Sequence, residues 1–184
     1  MQNIRHTPRS RELQKGLLHV YTGNGKGKTT AALGLCMRAA GRGWNTLVVQ
    51  FMKGMEYGEL HAFEAVPQVC IEQYGRTGFV DKCHPDAEDP DRATRALGRA
   101  RSALASGEFD MVVLDEVNVA IDFGLIALDE VLEALNRRAR NTEAVCTGRY
   151  APAALLEIAD LVTEMKEIKH PYMQNIPGRR GVEF

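Results

Sequence analysis

The stretch that decides the fold is Thr22-Gly23-Asn24-Gly25-Lys26-Gly27-Lys28-Thr29-Thr30. The apolar run 17–21 precedes it and the run 31–37 follows it, an order typical of a strand, a glycine-rich loop and a helix. In such a loop, backbone N–H groups and the N-terminus of the helix converge on one point that attracts phosphate. Glycines let the backbone approach the anion without side-chain clashes. The stretch therefore predicts a phosphate-binding loop.

Two side chains of this loop carry the expected chemistry. Lys28 is predicted to reach the terminal phosphates, and the Thr29 hydroxyl is predicted to ligate Mg²⁺. The consensus G-x-x-x-x-G-K-[ST] has glycine where this chain has Thr22, and Gly23 comes one residue late. An ordinary glycine-rich turn is the alternative, and the flanking strand and helix patterns disfavour it.

Length and composition indicate one ordinary globular domain. The chain has 184 residues, of which 45% are hydrophobic and 26% charged. Its formal net charge of −1 provides no general attraction for nucleic acid or an anionic membrane, and we expect neither as a partner. Only residues 1–15 lean basic, so we expect a flexible N-terminal arm there and a single domain over 16–184. The arm is either disordered or becomes ordered over a ligand or a partner subunit.

The cysteines and the hydropathy pattern point to the cytoplasm. The four cysteines are scattered without a C-x-x-C pair, which disfavours a zinc site or a disulfide framework and fits a reducing compartment. The chain has no apolar run long enough for a membrane-spanning helix. The N-terminus lacks the apolar core of a signal peptide.

Strand and helix patterns alternate along the whole chain. We expect strands at 17–21, 46–52, 69–74, 110–116, 143–147 and 161–165. We expect helices at 28–41, 91–105, 118–124, 128–138 and 152–159, with an irregular stretch at 75–90 and a mostly irregular tail from 169 onwards. This alternation predicts an α/β fold with a mainly parallel sheet and helices on both faces.

Polar motifs follow four of the predicted strands. They are the phosphate loop, Lys53-Gly54, Asp115-Glu116 and Gly148-Arg149. In open parallel sheets, ligands bind at the carboxyl ends of the strands. We therefore expect these motifs to meet at one site.

The acids Asp115 and Glu116 have the form of the metal-binding partner of a phosphate loop. A hard cation prefers oxygen ligands, and an acid at a strand end can hold Mg²⁺ directly or through water. Spacing does not decide which of the two touches the metal, and the start of a plain loop is the alternative. Arg149 is a candidate phosphate partner, with a surface arginine as the alternative. The residues thus predict an Mg-ATP-binding domain without separating hydrolysis, phosphoryl transfer or another use of ATP.

Several stretches together resemble one family, the ATP:corrinoid adenosyltransferases of the bacterial cobalamin pathway. They are 23–32, 48–54, 114–118, 147–149, 169–171 and 181–184, and the resemblance runs from about Gly16 to Phe184. It implies a P-loop NTPase fold of the RecA-like type. It also accounts for Thr22, because the family's specialised loop has threonine there.

The resemblance implies a transferase that moves the 5′-deoxyadenosyl group of ATP to the Co(I) of a corrinoid and releases triphosphate, in cobalamin biosynthesis or salvage. Residues 22–30, Lys53 and Arg149 are then expected to bind the nucleotide, which lies reversed along the loop. Lys28 and Mg²⁺ stabilise the leaving triphosphate. Thr29 and Glu116 are the expected metal ligands, with Asp115 nearby.

The resemblance also assigns residues and partners to the corrinoid. Phe79 is expected to fill the space under the corrin ring and so to help reduce Co(II) to Co(I), with loop packing as the alternative. Asp81 stands where the family often has tryptophan, which leaves the role of residue 81 open. An electron donor protein or reduced flavin and a second copy of the chain, as a homodimer, are the further partners implied.

Two other functions fit the loop and the acids alone. One is a RecA-like ATPase or ATP-gated module acting on a macromolecular partner, although the net charge of −1 disfavours a basic nucleic-acid face. The other is a small-molecule kinase, which would release ADP together with its product.

Overall fold

The computed structural model describes residues 15–78 and 80–184. The proposed basic arm, residues 1–15, lies outside this part except for Lys15. Phe79 also lies outside it. The arm and the role of Phe79 therefore stay predictions.

Strands and helices alternate along the described chain. The strands are β1 (Leu18–Thr22), β2 (Thr46–Gln50), β3 (Val69–Gln73), β4 (Met111–Asp115), β5 (Glu143–Thr147) and β6 (Leu161–Glu164). The helices are α1 (Lys28–Ala40), α2 (Gly58–Glu64), α3 (Asp89–Ser106), α4 (Val117–Asp122), α5 (Leu128–Asn136) and α6 (Ala153–Ile158), followed by a 3₁₀-helix (Pro171–Gln174).

The six strands form one sheet in the order β3-β2-β4-β5-β1-β6, and every adjacent pair is parallel. The register aligns the ends of neighbouring strands, with Gln50 beside Asp115 and Tyr21 beside Thr147. The carboxyl ends of β1, β2, β4 and β5 consequently lie along one edge. The predicted parallel α/β sheet is confirmed, and its geometry brings the four polar motifs to that edge.

Helices cover both faces of the sheet. On one face α3, α4, α5 and α6 pack with alternate strand residues such as Leu47, Val112 and Leu114. On the other face α1 and α2 pack with the residues in between, such as Val48 and Val113. Fully buried parallel strands read as continuous apolar runs for this reason. None of the helices in the described part has the length and hydropathy needed to cross a membrane.

The structure differs from the predicted elements mainly at one helix. Helix α2 (Gly58–Glu64) was not predicted, because its sequence buries only Phe63 and shows no apolar stripe. Tertiary packing of Phe63 against the core, rather than a periodic pattern, holds the helix in place. Helix α3 begins at Asp89 instead of residue 91, and β2 ends at Gln50 instead of residue 52.

Candidate active site

The phosphate loop joins β1 to α1 and depends on glycine at its first bend. Gly23 has a φ of 94°, and a Cβ there would lie 2.4 Å from the carbonyl oxygen of Met165. The N–H of Gly25 donates to that same oxygen at 2.6 Å. The loop is thus packed against the chain that follows β6, and the Gly25 N–H is already used within the protein.

Lys28 lies inside the curve of its own loop. Its ammonium donates to the carbonyl oxygens of Gly23 and Gly25 at 2.8 and 2.7 Å. The residue is buried, and burial lowers the pKa of Lys28 while the nearby Glu116 opposes that shift. The ammonium is therefore held by neutral carbonyls at the centre of the loop, which leaves its charge available to an anion.

Asp115 lies at the carboxyl ends of the strands, where it contacts several parts of the chain, and it is completely buried. Its Oδ1 accepts hydrogen bonds from the hydroxyls of Thr29 (2.8 Å) and Thr147 (2.7 Å). Its Oδ2 accepts from Gln50 (3.2 Å) and lies 3.1 Å from the ammonium of Lys53. These donors come from α1, β2, β5 and the segment after β2, so one carboxylate ties four parts of the chain together.

Lys53 lies between the acids of this edge and the phosphate loop. Besides Asp115, its ammonium lies 3.4 Å from Glu59 and 3.4 Å from the Thr29 hydroxyl, and 5.0 Å from the centre of the Tyr57 ring. Burial alone would lower the pKa of Lys53, but the charges of Asp115 and Glu59 outweigh it and the pKa is raised. The side chain is therefore a fixed positive charge beside the loop.

Glu116 follows Asp115 and has a left-handed backbone conformation, with a φ of 63°. Its N–H donates to the Thr147 hydroxyl at 2.9 Å, which fixes this turn. Burial, and then the charge of Asp115, raise the pKa of the Glu116 carboxyl. Residues with strained backbone cluster at functional sites, so Glu116 is a strong candidate for a ligand-binding group.

Arg149 is positioned by a turn that requires glycine. Gly148 has a φ of 131°, and a Cβ there would lie 3.0 Å from the Cβ of Asn118. The buried Asn118 amide donates to the carbonyl oxygen of Gly148 at 3.1 Å. Asn118 thereby holds the turn that presents Arg149. Asn118 lies three residues after Asp115 in the sequence, and no motif predicted a role for it.

Two cavities open at this edge. The first cavity, of about 490 Å³, is bordered by the phosphate loop, residues 57–59 and the C-terminal residues 181–184, and we call it the nucleotide cavity because most of the predicted nucleotide-binding residues border it. The second cavity, of about 780 Å³, is bordered by residues of three segments and by Tyr150; the segments contribute Met52, Gly54 and Met55, then Arg76, Gly78, Val80 and Lys82, then Val119, Asp122 and Phe123. Both volumes fall in the usual range for small-molecule sites. Four residues border both cavities, namely Lys53, Tyr57, Glu116 and Arg149, and we call them the shared wall.

The C-terminal segment closes one side of the nucleotide cavity. The Lys26 ammonium donates to the carbonyl oxygen of Val182 at 2.9 Å, and Glu183 pairs with Arg179. The sequence predicted a mostly irregular tail here, because its apolar residues follow neither helical nor strand spacing. Its ending, Gly181-Val182-Glu183-Phe184, is one of the stretches that carry the family resemblance, and it was the available signal.

The structure brings most of the predicted nucleotide-binding residues together, but not all of them. Gly25, Lys26, Gly27, Lys28, Thr29, Thr30, Lys53 and Arg149 border the nucleotide cavity. Thr22, Gly23 and Asn24 do not line it. The Thr22 hydroxyl instead accepts from the N–H of Ala151 at 3.3 Å, so it fixes the turn after Arg149.

The loop that carries the predicted corrin-binding residues shows a polar substitution. Asp81 is exposed and accepts from the N–H of Cys83 at 2.8 Å. Its neighbour Lys82 faces the second cavity, with its ammonium 2.7 Å from Asp122 and within 6 Å of the rings of Phe123 (5.7 Å) and Tyr150 (5.9 Å). The lysine stem and these rings, rather than residue 81, form this part of the lining.

The acids at this edge fit a magnesium site. Mg²⁺ is usually bound by one or two carboxylates together with substrate phosphates and water. Asp115 and Glu116 supply that number of carboxylates, and the Thr29 hydroxyl lies against Asp115. Asp115 already accepts four hydrogen bonds or ion pairs, whereas Glu116 borders both cavities.

Comparison with known proteins agrees with this geometry. The profile of the family described as ATP:corrinoid adenosyltransferase BtuR/CobO/CobP matches residues 14–184. The chain belongs to the ATP:corrinoid adenosyltransferase family. It is similar to the corrinoid adenosyltransferase of Pseudomonas aeruginosa, with 38% identity over 93% of this chain and 85% of that one. It is also similar to that of Escherichia coli, with 36% identity over 93% of this chain and 87% of that one.

Solved structures support the fold alone. The flagellar accessory protein FlaH from Methanocaldococcus jannaschii superposes with a TM-score of 0.52 at 12% identity, over 82% of this chain and 71% of that one. The RadB recombinase superposes with a TM-score of 0.52 at 15% identity, over 85% and 77% of the two chains. The predicted family and the predicted RecA-like P-loop fold are both confirmed.

Proposed function

We propose that this adenosyltransferase family member binds ATP in the nucleotide cavity and a corrinoid in the second cavity, and joins them across the shared wall. The observation that carries this proposal is that Lys53, Tyr57, Glu116 and Arg149 border both cavities. A transfer between two bound molecules requires their reacting atoms to be held in line and close together. Adjacent cavities with one common wall meet that requirement.

The proposed reaction transfers the 5′-deoxyadenosyl group from the triphosphate oxygen to cobalt. The Co(I) of the corrinoid attacks the ribose C5′ with its electron pair, and a Co–C bond forms. The bond between C5′ and its oxygen breaks, and its electrons leave with the triphosphate. Cobalt is the nucleophile, so no side chain has to act as a base. The protein's task is to position both substrates and to stabilise the charge of the leaving group.

The phosphate loop is suited to that leaving group. The Lys28 ammonium sits at the loop centre on two neutral carbonyls, and the N-terminus of α1 begins at the same residue. Lys53 and Arg149 add two positive charges on the shared wall. Fixed charges aimed where negative charge develops are usually the largest contribution to such catalysis. A triphosphate is the most highly charged leaving group that ATP offers.

Thr29 and Glu116 would hold a magnesium ion, with Asp115 behind them orienting the Thr29 hydroxyl at 2.8 Å. Bound there, the metal would supply positive charge to the departing phosphates. Asp115 is saturated by its protein donors, which is why we assign direct contact to Glu116. Glu116, in its left-handed turn, also borders both cavities.

The second cavity is suited to a large, mostly apolar ring. Its lining includes Met52, Met55, Val80, Phe123 and Tyr150. Thioether and aromatic side chains pack well against a flat macrocycle. We propose that Phe79, which adjoins this lining in sequence, lies under the ring and favours the Co(II)-to-Co(I) step. The Lys82 ammonium, which belongs to this lining, would face the polar substituents at the edge of the ring.

The family resemblance is also the basis for proposing further partners and a compartment. We propose that an electron donor protein or reduced flavin supplies the electron, that the chain acts as a homodimer, and that the arm of residues 1–15 closes over a neighbour's site. The four cysteines are free, and two of them, Cys70 and Cys83, are exposed, which suits a reducing cytoplasm.

The proposed function is tested by incubating the protein with ATP, Mg²⁺ and chemically reduced cob(I)alamin. Adenosylcorrinoid should form, seen in the visible spectrum, with one triphosphate released per molecule. Release of ADP and phosphate without adenosylcorrinoid would contradict the proposal.

A further inference from the structure

The position of Lys53 is unusual for a nucleotide-binding lysine, because its ammonium faces acids rather than the phosphate loop alone. It lies 3.1 Å from Asp115 Oδ2, 3.4 Å from Glu59 Oε1 and 3.4 Å from Thr29 Oγ1. Its side chain is 15% exposed. Two of these three partners, Asp115 and Thr29, belong to the proposed magnesium site.

The charge balance around Asp115 depends on this lysine. The carboxylate has no exposed surface, and its other described partners, Thr29, Thr147 and Gln50, are neutral donors. Lys53 is therefore the cation that compensates Asp115 in direct contact within the described structure. A second cation that approached the same oxygens would meet a fixed like charge at short range, which is strongly unfavourable where solvent is largely excluded.

Lys53 also lies between the two proposed ligand sites. It borders both cavities, and its ammonium lies 5.0 Å from the centre of the Tyr57 ring, another shared-wall residue. A polyphosphate bound on the loop would bring several negative charges to this position. These charges would add to those of the carboxylates already around Lys53, namely Asp115, Glu59 and Glu116, and could be shared by the lysine and a divalent cation.

We propose that Lys53 is a positioning residue that makes divalent-cation binding depend on the nucleotide. Its ammonium neutralises Asp115 and excludes a bare cation from the edge formed by Thr29, Asp115 and Glu116. Only a cation that arrives with a polyphosphate brings enough negative charge to be accepted beside it. This inference rests on the proposed nucleotide and metal site. It adds that the divalent cation binds together with the polyphosphate and not before it.

The proposal is tested by measuring the Mn²⁺ that stays with the protein in equilibrium dialysis. Protein-free samples that contain tripolyphosphate at the same concentration are the blank, because tripolyphosphate chelates Mn²⁺ by itself. The wild-type protein should bind Mn²⁺ weakly when no polyphosphate is present, and tightly when inorganic tripolyphosphate is added. In Lys53→Met, Mn²⁺ alone should bind at least about tenfold more tightly than to the wild type, because Asp115 has lost its compensating cation. Lys53→Arg keeps the charge and should restore the wild-type dependence on tripolyphosphate.

Lys82→Met is the matched control. Lys82 also forms a lysine–carboxylate pair, 2.7 Å from Asp122, at the second cavity. Its removal changes the net charge equally but leaves Asp115 compensated, so Mn²⁺ affinity should stay at the wild-type value. An equal gain in Lys82→Met would overturn the proposal, since net charge alone would then explain the effect. Lys53→Gln, which keeps a hydrogen-bond donor, replaces Lys53→Met if that variant does not fold.

The outcomes separate this inference from the proposed function. Two results overturn the role of Lys53 and leave the nucleotide site standing: tight Mn²⁺ binding to the wild type without tripolyphosphate, or wild-type Mn²⁺ affinity in Lys53→Met or Lys53→Gln. Failure of Mn²⁺ to bind even with tripolyphosphate contradicts the metal site itself. Neither measurement uses a corrinoid, so neither depends on adenosyl transfer.

Discussion

The nucleotide cavity and the second cavity are built from different kinds of structure. Around the nucleotide cavity, strand ends and the start of α1 fix the charged groups, and the buried Asp115 links them. The second cavity is bordered mainly by loop segments and short helical turns, and most of its side chains are apolar or only half-buried. One cavity is thus organised by buried hydrogen bonds and the other by the shape of loops.

This difference follows from what each cavity has to hold. A charge can be kept inside a protein only when it is paired and hydrogen-bonded, which requires partners fixed by regular structure. An apolar ring requires only a surface of suitable shape, which loops can provide. Substitutions in the first cavity should therefore affect stability or phosphate handling, and those in the second should affect the corrinoid.

The largest effect is expected for Asp115→Ala. The substitution leaves the ammonium of Lys53 without its buried partner, so the free energy of unfolding should fall by about 3–5 kcal/mol. Urea denaturation measures the loss. Asp122→Ala is the matched control at the second cavity, where Lys82 is half-exposed and the pair should contribute less than about 1 kcal/mol. Equal losses in the two variants would remove the contrast between the cavities.

Lys28→Ala should reduce kcat by about 10²–10³-fold, because a positive charge at the triphosphate is lost. Steady-state kinetics with cob(I)alamin measures this change, and Lys26→Ala provides the comparison. The Lys26 ammonium binds the carbonyl oxygen of Val182, so its loss should act mainly through the C-terminal wall and have a smaller effect. Near-normal turnover in Lys28→Ala would refute its role in the loop.

Two phenylalanines should separate the functions of the second cavity. Phe79→Ala should impair reduction of Co(II) much more than reaction with pre-formed Co(I). Phe123→Ala removes part of the apolar lining, and should raise the KM for the corrinoid about tenfold, in line with the loss of a buried aromatic contact, while the KM for ATP is unchanged. If Phe79→Ala lowers both steps equally, Phe79 only packs the loop.

The smallest effect concerns Glu116 and its dependence on pH. Burial raises the pKa of this carboxyl, so the folded protein binds the proton more tightly than the unfolded chain does. Its contribution to stability is therefore present at low pH and is lost as pH rises above the unfolded pKa, about 4.3, and through the folded value. Glu116→Gln lacks this loss, so its stability relative to the wild type should grow with pH.

Thermal unfolding at about pH 5 and about pH 8 measures this difference. The variant should melt a few degrees above the wild type at the higher pH, and closer to it at the lower pH. A difference in melting temperature that does not change with pH would contradict a raised pKa of the Glu116 carboxyl in the folded protein.

The residues whose positions at the site could be predicted from the sequence are those that belong to local motifs. Lys28, Thr29 and Asp115 lie within a few residues of a strand end, and their chemistry depends on that short-range order. Thr22, Gly23 and Asn24 belong to the same loop but are not among the residues that line the nucleotide cavity, and their contact with the nucleotide stays a prediction. The loop consensus describes the backbone path, whereas the lining depends on where that path turns towards the ligand.

Other residues of the site had no local signal. Glu59 and Tyr57 reach Lys53 from the start of α2, a helix without an apolar stripe. Thr147 lies far from Asp115 along the chain, and the parallel register of the sheet brings its hydroxyl within 2.7 Å of that carboxylate. The C-terminal residues 181–184 border the nucleotide cavity, where the carbonyl oxygen of Val182 accepts a hydrogen bond from Lys26. These placements depend on tertiary packing that periodicity does not encode.

A crystal structure with ATP, Mg²⁺ and a corrinoid would test the central claim most directly. The account predicts triphosphate on residues 25–30, the corrin ring against Phe123 and Tyr150, and the ribose C5′ facing the cobalt across Lys53, Tyr57, Glu116 and Arg149. A corrinoid bound elsewhere, with C5′ directed away from these four residues, would contradict it.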